Sequence, residues 1–139
     1  MKKLLALMLS MAMVFTIGTS VMAYSDVKEG TYVSEAVTVL SNLDILNGYE
    51  DGTFKPEATI TRAEMAKIVC EALGYYGMGS DKTPFDDVEP KHWAAGYINT
   101  AASLGIINGY GNGKFGPEDT VTYEQAVKMV VCALGYEAM

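Results

Sequence analysis

One arginine, one histidine and two cysteines are the scarce reactive side chains in this chain of 139 residues. The arginine, Arg62, stands in "TITRAEMAKIV", which begins at Thr59. From Thr120 the chain repeats the phrase as "TVTYEQAVKMV", with Tyr123 in the arginine's place. A guanidinium is planar and permanently charged, and it can grip a carboxylate through two parallel hydrogen bonds. At the start of a helix, free N–H groups and the positive end of the dipole favour the same kind of partner. The chemistry on offer at Arg62 is therefore recognition of an anion, set against the alternative of a solvated surface arginine. Tyr123 can offer an aromatic face or donate one hydrogen bond, but it cannot neutralise a carboxylate.

Catalysis has less support. His92 is the sole histidine, its counterpart 61 residues earlier is Thr31, and no serine or cysteine nucleophile lies in a supporting motif. Acidic residues are abundant, but nothing singles out one pair for paired-carboxylate hydrolysis. Cys70 and Cys132 do not occupy equivalent positions, since Val131 is the counterpart of Cys70, and neither has metal-ligand spacing. They read as buried thiols rather than a bridge, although export would permit oxidation. The loops "NGYEDG" and "NGYGNG" faintly resemble a calcium loop, but Tyr49 and Ala58 fill two ligand positions of the first and Tyr110 fills one of the second. No enzyme, metal or cofactor is expected.

These residues are carried on a repeated unit. At an offset of 61 without a gap, "LDILNGYEDGTFKPE" from Leu43 meets "LGIINGYGNGKFGPE" from Leu104, and Ala72 to Tyr75 meets Ala133 to Tyr136. Each copy reads as helix, loop, helix. Tyr32, Ala36, Val37, Leu40 and Leu43 recur at helical spacing, and Trp93, Tyr97, Ile98, Ala101 and Leu104 repeat the stripe as a core face. The second helix of each copy opens with a capping box, Thr61 with Glu64 and Thr122 with Gln125, which satisfies two orphan N–H groups reciprocally. Its apolar face is Met65, Ile68, Val69, Ala72 and Leu73, echoed by Ala126, Met129, Val130, Ala133 and Leu134, and it stops at Gly74 or Gly135. Phe54 and Phe115 are expected to fold back onto the helices. Asp26 and Asp87 are expected to cap the chain or bind loop amides.

The domain plan is a signal peptide over residues 1–23, repeat 1 over 24–75, a linker over 76–84 and repeat 2 over 85–139. The first segment carries Lys2, Lys3, a short apolar run and a small residue at Ala23. Its removal takes the formal charge from −7 to −9, with 8 basic against 17 acidic groups. That balance excludes a nucleic-acid partner, which needs clustered Lys and Arg. No membrane span is expected after cleavage.

"YSDV" and "FDDV", the aromatic at Tyr32 or Trp93, and "LDILNGYEDGTFKPEATITRAEMAKIV" with its second copy together resemble the S-layer homology (SLH) repeat of bacterial cell-surface proteins. The resemblance spans both repeats. It implies an all-α fold of tandem helix-loop-helix repeats, part of a pseudo-threefold helical bundle that usually has three repeats. It implies a location in the cell wall or S-layer, and non-covalent anchoring to a peptidoglycan-linked secondary cell-wall polysaccharide that is anionic and often pyruvylated. On the matching positions, Arg62 of Thr61-Arg62-Ala63-Glu64 becomes the carboxylate partner, with grooves between neighbouring repeats as the sugar sites. Tyr49, Gly52 and Lys55 are expected to add a stacking face and a second cation, and Lys114 to compensate in part for Tyr123. With two repeats present, the chain is expected to be a fragment or short form, or to complete its core with a third repeat from another chain or by self-association. The rival reading is a dockerin-like or self-associating protein-interaction module without glycan binding.

Overall fold

A computed structural model describes residues 24–76 and 83–136, so the proposed signal peptide and most of the linker lie outside the described residues. The fold is all-α: helices α1 (Tyr32–Asn42), α2 (Arg62–Ala72), α3 (Ala95–Ser103) and α4 (Tyr123–Ala133), with no strand among the described residues. No helix there is long and apolar enough to cross a membrane.

The helix starts follow from local chemistry. Thr61 Oγ1 accepts from Glu64 N at 3.2 Å while Glu64 Oε2 accepts from Thr61 N at 2.7 Å. Thr122 and Gln125 reproduce the box at 3.3 and 3.4 Å. Thr31 builds a third box with Ser34 at α1. Before α3, Ala94 N donates to His92 Nδ1 at 3.1 Å, and His92 Nε2 lies 3.0 Å from Glu118 Oε1. Both ring nitrogens of the only histidine thus have structural partners.

Each loop is pinned by the aspartate in front of its first helix. Asp26 accepts from the amides of Phe54 and Lys55 at 2.8 and 2.7 Å, and Asp87 accepts from Phe115 and Gly116, both at 2.8 Å. These amides hold Asp26 below the usual carboxylate range, the Phe54 bond most strongly. At Asp87 burial pushes upward as the largest single effect, but the two amide bonds and lesser favourable contributions prevail and the group also titrates low. Tyr24 and Phe54, and likewise Phe85 and Phe115, pair their rings at 5.3 Å. Gly48 and Gly109 lie so close under Tyr24 and Phe85 that a Cβ would run into the ring and into a loop carbonyl.

The core does not divide into two equal halves. α2 packs against both α3 and α4, whereas α1 packs against none of the other described helices. The continuous apolar cluster holds Ala63, Met65, Ala66, Val69 and Cys70 of α2 together with Ile98, Ala101, Ile106, Ile107, Phe115 and Met129 of repeat 2. Helix α1 sits outside that cluster. Of its stripe only Val37 is buried, while Tyr32 and Leu43 are exposed. In repeat 2 the stripe is shifted: Ile98 and Ala101 are buried, but Trp93 precedes the helix and is 56% exposed. The face of α2 has likewise turned, burying Ala63, Ala66 and Cys70 and leaving Leu73 exposed, because neighbours cover it from two sides. With only α2 beside it among the described helices, α4 leaves Val130 and Leu134 exposed. The cysteines are free thiols, and burial raises Cys70 to about 11.

Candidate functional site

The start of α2 is inserted into the loop of the other repeat. Arg62 N donates to Asp119 O at 2.9 Å, Ala63 N to Pro117 O at 3.0 Å, and Val121 N to Ile60 O at 3.0 Å. The first two bonds use helix N–H groups that have no partner within α2 itself. They carry the arginine side chain across the boundary between repeats. Its Nε donates to Phe115 O at 2.8 Å, Nη1 to Gln125 Oε1 at 3.0 Å and Nη2 to Asn108 O at 3.0 Å. The guanidinium carbon lies 4.7 Å from the Tyr110 ring centre and 4.5 Å from that of Phe115, a cation–π arrangement on two faces. Arg62 is only 3% exposed. It is therefore a buried joint between the repeats, and the solvated arginine considered for this position does not occur.

Burial does not use up the guanidinium. Three of its five N–H donors are engaged by these bonds, leaving two for other acceptors. Arg62 is the one repeat 1 residue lining a groove of about 170 Å³ that is otherwise built by repeat 2, from Asn108, Gly109, Tyr110, Gln125 and Lys128 among others. Tyr110 is half exposed, and its hydroxyl donates to Asp119 Oδ2 at 2.9 Å. Burial first, and the bond to Asp119 second, raise its pKa, which keeps the phenol protonated. The groove thus combines a fixed cation in the wall, an exposed lysine and an aromatic face. Chemically it can hold an anionic group beside a ring with an apolar face.

A second cavity, of about 320 Å³, lies in the corresponding part of repeat 1. Asn47, Tyr49, Glu64 and Lys67 line it as Asn108, Tyr110, Gln125 and Lys128 line the first groove, and Phe54, Lys55 and Trp93 add to its wall. Lys55 Nζ lies 3.9 Å over the Tyr49 ring and 3.8 Å from Asp51 Oδ2.

The six residues singled out for carbohydrate binding are therefore divided. Tyr49 and Lys55 share the repeat 1 cavity, and Arg62 lines the groove otherwise built by repeat 2. Gly52 is at an exposed loop tip with φ +78°, where an added Cβ would meet nothing, so its requirement is conformational. Lys114 and Tyr123 are exposed and line neither cavity, Tyr123 at 81% exposure. Sequence reasoning missed Asn108, Tyr110 and Lys128 as groove residues. The offset of 61 held the signal, since Tyr110 pairs with Tyr49 and Lys128 with Lys67.

The family model of the S-layer homology domain matches residues 23–66 and 84–127. The chain belongs to the S-layer homology domain family. It is 39% identical to a "Cell surface protein" of Thermoanaerobacter kivui over 99% of this chain and 19% of that protein. It is 34% identical to a "Surface layer protein" of Brevibacillus choshinensis over 99% of this chain and 13% of the relative. A "Cellulosome-anchoring protein" of Acetivibrio thermocellus is 34% identical over 80% of this chain and 26% of its own length. The chain thus spans a quarter or less of most of these relatives, and about a quarter of the last.

Proposed function

We propose that this chain is a non-catalytic anchoring module of the bacterial cell wall or S-layer that binds an anionic secondary cell-wall polysaccharide in the groove that Arg62 shares with repeat 2. The family supports anchoring, and so do the names of the relatives, which are a cell surface, a surface layer and a cellulosome-anchoring protein. The observation that carries the site is the Arg62 guanidinium, held rigid in the groove wall with two donors to spare and Lys128 and Tyr110 beside it. A pyruvyl or other carboxylate on the glycan would be gripped by those donors, with the sugar against Tyr110. Tyr49 and Lys55 belong to a second place of the same kind, and Lys114 and Tyr123 at the periphery would add contacts to a long polymer. In this reading residues 1–23 direct export, 24–75 and 85–139 are the two repeats joined by 76–84, and a third repeat or another copy completes a pseudo-threefold bundle.

Sedimentation of the purified mature chain with isolated cell walls tests the site. Lys128→Ala, on an exposed position, is expected to weaken wall binding by about tenfold with an unchanged melting curve, the usual scale for one charge-assisted contact. Arg62→Lys keeps the charge but loses the fork. If both variants fold and bind walls as the parent does, the groove is not the glycan site. If the parent binds walls stripped of their polysaccharide equally well, glycan recognition itself is wrong.

A further inference from the structure

Three Asn-Gly pairs stand in the loops: Asn47-Gly48, Asn108-Gly109 and Asn112-Gly113. A glycine amide, with no Cβ beside it, can reach the side-chain carbon of the asparagine before it. The reaction requires the peptide plane between the two residues to turn, which a well-held loop forbids. In repeat 1 the Gly48 amide donates to Tyr24 Oη at 2.9 Å and the Tyr49 amide to Thr53 O at 2.8 Å. In repeat 2 Asn108 O accepts from Arg62 Nη2 at 3.0 Å, and Gly109 lies against the Phe85 ring. Both of these planes are pinned.

Asn112-Gly113 is held differently. It lies exposed in the loop, with Gly113 at φ +80°. Neither Asn112 O nor Gly113 N has a hydrogen bond among the described residues. The loop is anchored one plane further on, where Gly113 O accepts from Asp86 N at 2.8 Å. Lys114 N donates to Asn112 Oδ1 at 3.2 Å, so an amide faces the oxygen on which charge develops when the side-chain carbon is attacked.

We propose that Asn112 is a self-modification site that converts through a cyclic imide to aspartate and isoaspartate, and that the isoaspartate loosens the joint between the repeats. Gly113 N loses its proton to water and attacks Asn112 Cγ. The Cγ–Nδ2 bond breaks, and Nδ2 leaves as ammonia after taking a proton back from water. A second water then opens the imide. Breaking the bond from Gly113 N to Cγ gives aspartate, and breaking its bond to the Asn112 main-chain carbon gives isoaspartate, with nothing oxidised or reduced. The counterpart position holds the first product: Asp51, before Gly52, accepts from Thr53 N at 3.0 Å as Asn112 accepts from Lys114 N. Aspartate is therefore accommodated. Isoaspartate instead lengthens the main chain by one methylene just ahead of Gly113. That shifts the Gly113 carbonyl away from Asp86 N and disturbs the next turn, where Asp87 holds the Phe115 and Gly116 amides and Phe115 O holds Arg62 Nε. The proposal does not rest on glycan binding.

Peptide mapping by mass spectrometry of the mature protein, kept for days in mildly alkaline buffer, reads the reaction as a gain of about one dalton at each asparagine. In the folded protein Asn112 should convert about tenfold faster than Asn47 and Asn108, and in urea the three rates should draw together. Hydroxylamine, which cleaves the imide, should cut the folded chain between residues 112 and 113, and Asn112→Gln should abolish the cut. The isoaspartyl form, purified by chromatography, should melt several degrees below the parent, while Asn112→Asp melts with it. The proposal is overturned if Asn47 or Asn108 converts as fast as Asn112 in the folded protein, if urea leaves the three rates apart, or if the isoaspartyl form melts like Asn112→Asp.

Discussion

At position 62 a single side chain is asked to join two repeats and to face a groove. Its three hydrogen bonds and two ring contacts all go to repeat 2. Arg62→Ala should therefore cost about 3 kcal/mol of folding stability, on the scale of losing buried bonds to a charged group, with Arg62→Lys losing less. Urea denaturation measures both. Any loss of wall binding in Arg62→Ala has to be read beside that loss of stability. Neighbouring residues show why part of this was legible in the sequence. Thr61 and Glu64 are three positions apart, and a capping box is decided within that distance. The partners of Arg62 are 46 to 63 residues away, so no local pattern announces its burial.

Among the elements, the sequence pattern located all four helices and both loops but misjudged which faces are covered. The stripe through Tyr32 and Leu43 has helical period, yet period does not say whether a neighbour exists to cover it, and α1 has none among the described helices. The loops were more readable, because their glycines answer to two distinct needs. Gly111 has φ +83° and open space around it, so Gly111→Ala should cost about 1 kcal/mol from backbone strain alone. Gly109 lies against Phe85 and the Lys114 carbonyl, which are parts of a pinned loop. Gly109→Ala should cost about 2–3 kcal/mol as the loop is pushed off its anchor. Thermal melts of the two variants should rank them in that order.

For the whole molecule, acidity has two opposing effects. The chain carries a formal charge of −7 before any processing, so mild acidification relieves repulsion. Against this stand Asp26 and Asp87, whose carboxylates titrate below their ordinary value because they hold loop amides. Folding favours their charged form, so their contribution is complete above the unfolded pKa of about 4 and is lost as pH falls through the lower folded values. Melting temperature should accordingly fall steeply below about pH 4. In the Asp26→Asn, Asp87→Asn double variant it should start lower at neutral pH and change less on acidification. An identical acid response in parent and variant would exclude these two aspartates as its cause.

The placement of α2 has an evolutionary and practical corollary. The segment that is copied in the sequence ends after α2, but the cluster that excludes water begins with α2 and runs through repeat 2. The heritable unit and the cooperative unit are thus out of phase by half a repeat. A cut between residues 76 and 83 would respect the duplication yet sever a helix from the two it packs against, whereas a truncation just before Thr59 would keep the cluster whole. In hydrogen exchange, the amides of α1 should open at lower free energy than those of α2, although the two helices belong to the same copy.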